Sequence, residues 1–84
     1  MYRVIVSKDA LKSLRKLDRE HQERVIKLLE DIKQDPRSKG KPLVGNLSGS
    51  WRYRVGKVRV VCVIDDRDRV VKVYRIAWRK DAYR

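Results

Sequence analysis

Residues 51–60 read WRYRVGKVRV, two runs of alternating apolar and basic residues on either side of Gly56-Lys57. A two-residue connection with glycine first is a tight hairpin turn. It places Val55 opposite Val58, Arg54 opposite Arg59 and Arg52 opposite Val61. Successive side chains of a strand point to opposite faces. Trp51, Tyr53, Val55, Val58, Val60, Cys62 and Ile64 therefore share one face, the core face. Arg52, Arg54 and Arg59 share the other. Like charges directly across an antiparallel pair cost a few tenths to about 1 kcal/mol, so the pattern calls for an anionic partner.

Outward from this hairpin the chain sorts into a few elements. Val70–Ala77 reads as a further strand, joined to Val58–Asp65 by a turn at residues 66–69, DRDR. Upstream, residues 2–7, YRVIVS, alternate and are β-branched, predicting a first strand. Ser7 is placed to cap a helix carrying Ala10, Leu11, Leu14 and Leu17 at helical spacing, with Asp9 in its first turn. Asp18 is placed to cap a longer helix carrying Val25, Ile26, Leu28, Leu29 and Ile32, which must stop before Pro36. Residues 35–50 hold both prolines and three of the four glycines. They read as a loop, with Leu43, Val44 and Leu47 expected to tuck onto the core. The expected order is β-α-α-β-β-β over a single domain, residues 1–84, of α+β class. Its sheet is antiparallel-rich, with both N-terminal helices on one face.

Composition narrows the partner. Among 84 residues, 23 Lys and Arg stand against 11 Asp and Glu, a net charge of +12 and a pI near 10.4. Such an excess opposes compaction by self-repulsion and favours nucleic acid first, then an acidic protein, then an anionic membrane surface. Apolar residues make up 42%, enough for one modest core in a chain that buries roughly 60–65% of its unfolded surface. Cys62 is the single cysteine, which excludes an intrachain disulfide and a cysteine-based zinc site. It is expected to be a small buried hydrophobe. The N-terminal residues carry no secretory signal pattern and no apolar run approaches a membrane span, so a cytoplasmic location is expected.

The basic residues differ in meaning. Arginine's planar fork suits bidentate phosphate contact, and three arginines on one face of the hairpin read as a phosphate-binding surface for RNA or DNA. Lys57 in the turn, and Lys39 and Lys41 in the loop, are placed to reach backbone phosphates or to remain solvated. Lys8, Lys12, Arg15, Lys16 and Arg19 read as the solvated face of the first helix. His21, the one histidine, is expected to be exposed among charged neighbours. Asp65, Asp66 and Asp68 read as turn chemistry rather than metal ligands. No paired carboxylates, phosphate-binding glycine loop or metal-ligand cluster appears, and neither a cofactor nor a metal is expected.

Three segments together resemble the RelE/ParE superfamily of toxin–antitoxin toxins: the strand–two-helix opening, KPLVGNLSGSWRYRVGKVRVVCVIDD at residues 41–66, and VVKVYRIAWRKDAYR at residues 70–84. The resemblance covers nearly the whole chain and is closest to the RelE branch. It implies a ribosome-dependent endoribonuclease that cuts mRNA in the A site without a metal. The mRNA's own 2′-OH attacks the adjacent phosphorus, leaving a 2′,3′-cyclic phosphate and a free 5′-OH. Arg54, Arg59 and Arg79 match the family's basic catalytic positions, and Arg52 a further basic position. Tyr83 matches the C-terminal catalytic tyrosine, as general base or as a stacking partner for the splayed base. Trp78 stacks on a base or packs on the sheet.

Two departures follow from the same comparison. Arginines at 52 and 54 replace lysines and are poor proton acceptors. A base role then passes to Tyr83, whose phenol nearby arginines would lower, or to substrate or ribosome. Residues 77–79, AWR, replace the family's Gly-His-Arg. The implied partners are an acidic, RelB-like antitoxin, the ribosome and mRNA, with the toxin monomeric inside a toxin–antitoxin hetero-oligomer and no membrane involved. The alternatives are a ParE-type toxin that inhibits DNA gyrase without cutting RNA, and a plain basic nucleic-acid-binding module.

Overall fold

The computed structural model describes residues 1–45 and 49–79. In chain order these form β1 (Arg3–Val6), α1 (Lys8–Arg15), α2 (Arg19–Gln34), β2 (Lys41–Pro42), β3 (Ser50–Val55), β4 (Val58–Asp65) and β5 (Val70–Trp78). The sheet runs β1-β5-β4-β3-β2, antiparallel except for the parallel pair β1–β5. The α+β class, the two helices and the hairpin strands agree with the sequence reading.

Caps define the helices as expected. Ser7 Oγ accepts from the Ala10 amide at 3.1 Å, and the Asp18 carboxylate accepts from the His21 amide; each satisfies a donor that the first helical turn leaves open. Gln22 Nε2 donates to the carbonyls of Leu14 and Arg15, at 3.1 and 3.0 Å. It thereby closes the end of α1 from the start of α2 and fixes the helical hairpin. Asp35 is extended, as the residue before a proline prefers, and α2 stops there.

Both helices pack on the same side of the sheet, α1 on β5 and α2 on β1 and β3. Ala10, Leu14, Leu17, Val25, Leu28 and Ile32 meet the sheet's Tyr53, Val55, Val58, Val60, Cys62, Val71, Val73 and Ile76. The core face read from alternation is the core face observed. Cys62 is fully buried, and burial pushes its thiol up from the ordinary value. Tyr53 lies among these apolar groups with its hydroxyl donated to the Pro36 carbonyl, while the Cys62 thiol donates to that hydroxyl at 3.5 Å. Burial raises the Tyr53 phenol far above its ordinary value, so it is a structural hydroxyl.

The segment expected to be a loop departs from the reading in two ways. Lys41 and Pro42 form a two-residue strand on the open edge of β3, where a proline is tolerated because no ladder donor is needed on the outer side. Val44 is 86% exposed rather than tucked onto the core; Leu43 is half-buried, held by its amide to the Ser50 carbonyl at 2.8 Å; Leu47 lies outside the described residues. What anchors the region is Arg37. Its guanidinium pairs through both terminal nitrogens with Asp66, at 2.9 and 2.8 Å, and lies 5.4 Å from the centre of the Trp51 ring. The Tyr2 hydroxyl donates to the same carboxylate at 2.7 Å. One exposed aspartate thus ties the N-terminal end, the segment after α2 and the β4–β5 turn together.

Candidate nucleic-acid interface

Gly56 sets the register on which the site depends. Its φ is +59°, and a Cβ there would sit 2.8 Å from Arg24 Nη1 and 3.2 Å from His21 Nε2. Only glycine meets both conditions without strain. The turn then aligns Arg54 with Arg59 and Arg52 with Val61, the pairing derived from the hairpin sequence.

Neighbouring strands extend these pairs into rows. Arg59 aligns with Ala77, and Val61 with Arg75; on the other side Lys41 aligns with Arg52. On the face away from the helices, one row is therefore Lys41, Arg52, Val61 and Arg75. The next is Arg54, Arg59 and Ala77. This places Lys41 beside the arginines and adds Arg75, which the sequence reading did not single out. Arg54 is exposed, Arg52 half-buried and Arg59 only 4% exposed. Arg59 and Arg75 both engage in further interactions, so this face is not a lawn of freely solvated cations.

An aromatic residue also reaches this face. Between Val61 and Cys62 the β4–β5 register slips, so that Tyr74 is the extra residue of a bulge. A bulge re-aims side chains, and the Tyr74 hydroxyl lies 2.8 Å from Ser50 Oγ, on the face of Arg52 and Arg54. Strict alternation counted from Val73 would have assigned Tyr74 to this face but Arg75 to the core. The bulge keeps both outside. No sequence signal marks it.

Other expected residues lie elsewhere. Trp78 aligns with Val58, on the helix side of the sheet. Its ring meets His21 edge-on with centroids 5.1 Å apart, which is the packing alternative rather than a place on the arginine face. His21 is accordingly not exposed as expected: its side chain is 18% accessible, with Nδ1 2.7 Å from Asp18 Oδ1. The turn, the end of β5 and the start of α2 enclose it together. Asp18 is drawn below the ordinary carboxylate value because bonds from the His21 ring and amide outweigh its desolvation, which acts the other way.

Lys39 sits on the helix side, its ammonium 2.7 Å from Asp31, which lowers the Asp31 carboxyl. Lys57 is exposed in the turn, and its carbonyl accepts from the Arg79 amide at 2.7 Å. That bond continues the β4–β5 ladder and leaves Arg79 exposed just beyond the strand. Tyr83 lies outside the described residues. Asp65 and Asp66 behave as turn and tether: Asp65 Oδ1 accepts from the Asp68 amide at 3.0 Å, and Asp66 holds Arg37.

The family of ParE toxins of type II toxin–antitoxin systems matches residues 4–83. The chain belongs to this toxin family. Across 99% of its length and 96% of the relative's, the toxin is 33% identical to a Methanocaldococcus jannaschii protein named as toxin RelE1. Among solved structures, it is similar to the toxin–antitoxin complex RelBE2 of Mycobacterium tuberculosis, with a TM-score of 0.86 and 30% identity over 93% of this chain and 98% of that one. It is also similar to the archaeal RelE–RelB complex of Pyrococcus horikoshii, with a TM-score of 0.79 and 25% identity over 96% and 98%. The toxin is thus a type II toxin–antitoxin toxin of RelE/ParE type, and no helix among its described residues is long and apolar enough to cross a membrane.

Proposed function

We propose that the toxin is a ribosome-dependent endoribonuclease that cleaves mRNA in the A site and so inhibits translation. The observation that supports this reading most directly is the two-row cationic face: Arg54 aligned with Arg59, and Arg52 beside Lys41 with Arg75 beyond Val61 in the same row. Such a face suits a phosphodiester rather than a neutral ligand. Cleavage by the neighbouring 2′-OH makes three demands. The 2′ proton must leave, the added negative charge on phosphorus must be stabilised, and the 5′-oxygen must gain a proton. Arg54, Arg59 and Arg79 answer the second demand by electrostatics held in place before the reaction. Arg52, Lys41 and Lys57 hold flanking phosphates. Tyr83 takes the proton or stacks on the base, and the arginines themselves are too basic to accept it. An acidic, RelB-like antitoxin covering this face neutralises the toxin, which acts as a monomer in the cytoplasm once released.

The test is mRNA 5′-end mapping in a translating extract. Wild type gives breaks in register with codons and leaves naked RNA almost intact. Tyr83→Phe and Arg79→Ala each abolish the breaks while melting like wild type, because both positions lie beyond β5. Undiminished cleavage by the double variant overturns the reading. The family description, ParE toxin, favours the runner-up, a non-nucleolytic inhibitor of DNA gyrase. Inhibited supercoiling with intact mRNA would select it.

A further inference from the structure

A second basic surface lies on the opposite side of β3. Between α2 and β3 runs an open groove of about 250 Å3, walled by Arg24, Lys27, Asp31, Lys39 and Arg54 over Leu28 and Val55. Four cations meet a single acid, and that acid already accepts from Lys39. Arg24 and Arg54 form no ion pair among the described residues, and Lys27 acts on Asp31 only from beyond ion-pair distance. From Arg24 to Asp31 the helix advances about 10 Å, longer than one bound phosphate needs.

Arg54 joins the two surfaces. By register it belongs to the outer arginine face, and it also lines the groove. This is possible because β2 pairs only with Trp51 and Arg52, so β3 is a bare edge at Arg54. A polyanion crossing the outer face finds its charge partners continued around that edge. The groove's apolar residues, Leu28 and Val55, are only 7% and 5% exposed. An acidic peptide would find no apolar pocket there to anchor it, whereas a phosphodiester backbone requires none.

We propose that this groove holds the backbone of single-stranded RNA flanking the segment gripped by the arginine face, with Arg24 and Lys27 as phosphate contacts. The inference rests on the nucleic-acid reading above and is tested without cleavage. Fully 2′-O-methylated RNA has no attacking hydroxyl, so its binding by the full chain reports contacts alone.

Fluorescence anisotropy is measured from about 50 to 200 mM salt with a dinucleotide and with an oligomer of about twelve nucleotides. On the long oligomer, Arg24→Gln/Lys27→Gln reduces the salt slope by about 1.4, twice the single-strand contribution of about 0.7 per phosphate contact. Its loss of affinity relative to wild type is then about sevenfold greater at the low-salt end than at the high-salt end. Dinucleotide binding is unchanged. Lys27→Gln alone, which disturbs no hydrogen bond among the described residues, reduces the slope by about 0.7 with an unaltered melting temperature.

An unchanged slope overturns the proposal. So does an equal loss on the dinucleotide, which would make the groove part of the arginine-face site. A loss seen only with polyglutamate, and not with RNA, assigns the groove to a protein partner and equally overturns it. Failure of the nuclease reading appears as intact mRNA and leaves these binding slopes as they are.

Discussion

Replacing Arg54 with glutamine sets folding against binding. Arg54 is exposed and stands directly across β3–β4 from Arg59, which is buried and held by other contacts. Two unit charges about 5 Å apart in a water-like dielectric repel by about 0.8 kcal/mol, within the few tenths to about 1 kcal/mol typical of like charges across a sheet. Glutamine keeps most of the side-chain stem and removes the charge. In a domain of this size 1 kcal/mol moves the midpoint by about 4–8 °C, so Arg54→Gln should melt roughly 1–8 °C higher than wild type in low salt. The gain should vanish near 1 M salt, where the screening length falls to about 3 Å. Arg54→Lys keeps the charge and should show no gain. RNA binding moves the other way, with the salt slope reduced by about 0.7. The measurements are thermal melts by circular dichroism at both ionic strengths, beside anisotropy titrations. A midpoint at or below that of wild type in low salt, or a gain that survives high salt, refutes the claim that the arginine rows carry repulsion kept for a ligand.

Three further outcomes follow from the packing. Gly56→Ala should lose about 1–2 kcal/mol because an L side chain is strained at positive φ, and Gly56→Asn should lose less; equal melting of the two would remove the argument that backbone conformation dictates this residue. Tyr53→Phe should cost about 1–3 kcal/mol by denaturant unfolding, since the buried Pro36 carbonyl loses its donor; a neutral effect would mean that carbonyl finds another partner. The hydrogen bonds of Arg37, then of Tyr2, hold the Asp66 carboxyl down to about 2, against an ordinary value of 3.8. This tether therefore stabilises the fold fully above about pH 4 and is lost as pH falls from there toward 2. The melting difference between wild type and Asp66→Asn should be largest near neutrality and close over that interval; a difference that grows with acidity reverses the assignment.

Much of this was legible because period-two alternation is strict where one face is buried. The pairing of Arg54 with Arg59 and the core positions from Trp51 to Ile64 follow from counting alone, once Gly56 marks the turn. The helix caps Ser7 and Asp18 were equally local. What escaped the sequence needs partners far apart in the chain. Lys41–Pro42 becomes a strand only because β3 offers an edge, and two residues carry no periodicity of their own. Tyr74 and Arg75 share a face through a slip in pairing with β4, which propensity does not encode. His21 read as exposed because its sequence neighbours are charged, yet its cover comes from Gly56 and Trp78. The link from Arg37 to Asp66 gave no signal, being an ordinary pair of charges until the fold brings them together. The site therefore divides: its hairpin half was readable and Lys41 was already a candidate, while the place of Lys41 beside Arg52, the addition of Arg75 and the Arg24–Lys27 wall emerged only with the sheet and α2 in place.

The parallel pairing of β1 with β5 has a bearing on biosynthesis. Ser7 and Tyr74, joined where these strands meet, are 67 residues apart in the chain, and their union bridges almost everything between. A ribosome delivering this polypeptide releases β1 early and leaves it without a neighbour until β5 has emerged. Late closure of this kind makes assembly slow, and it also means that the nascent chain has no finished cationic face while its own message is being read. A chain with this topology completes its cationic face only once β5 has emerged and paired.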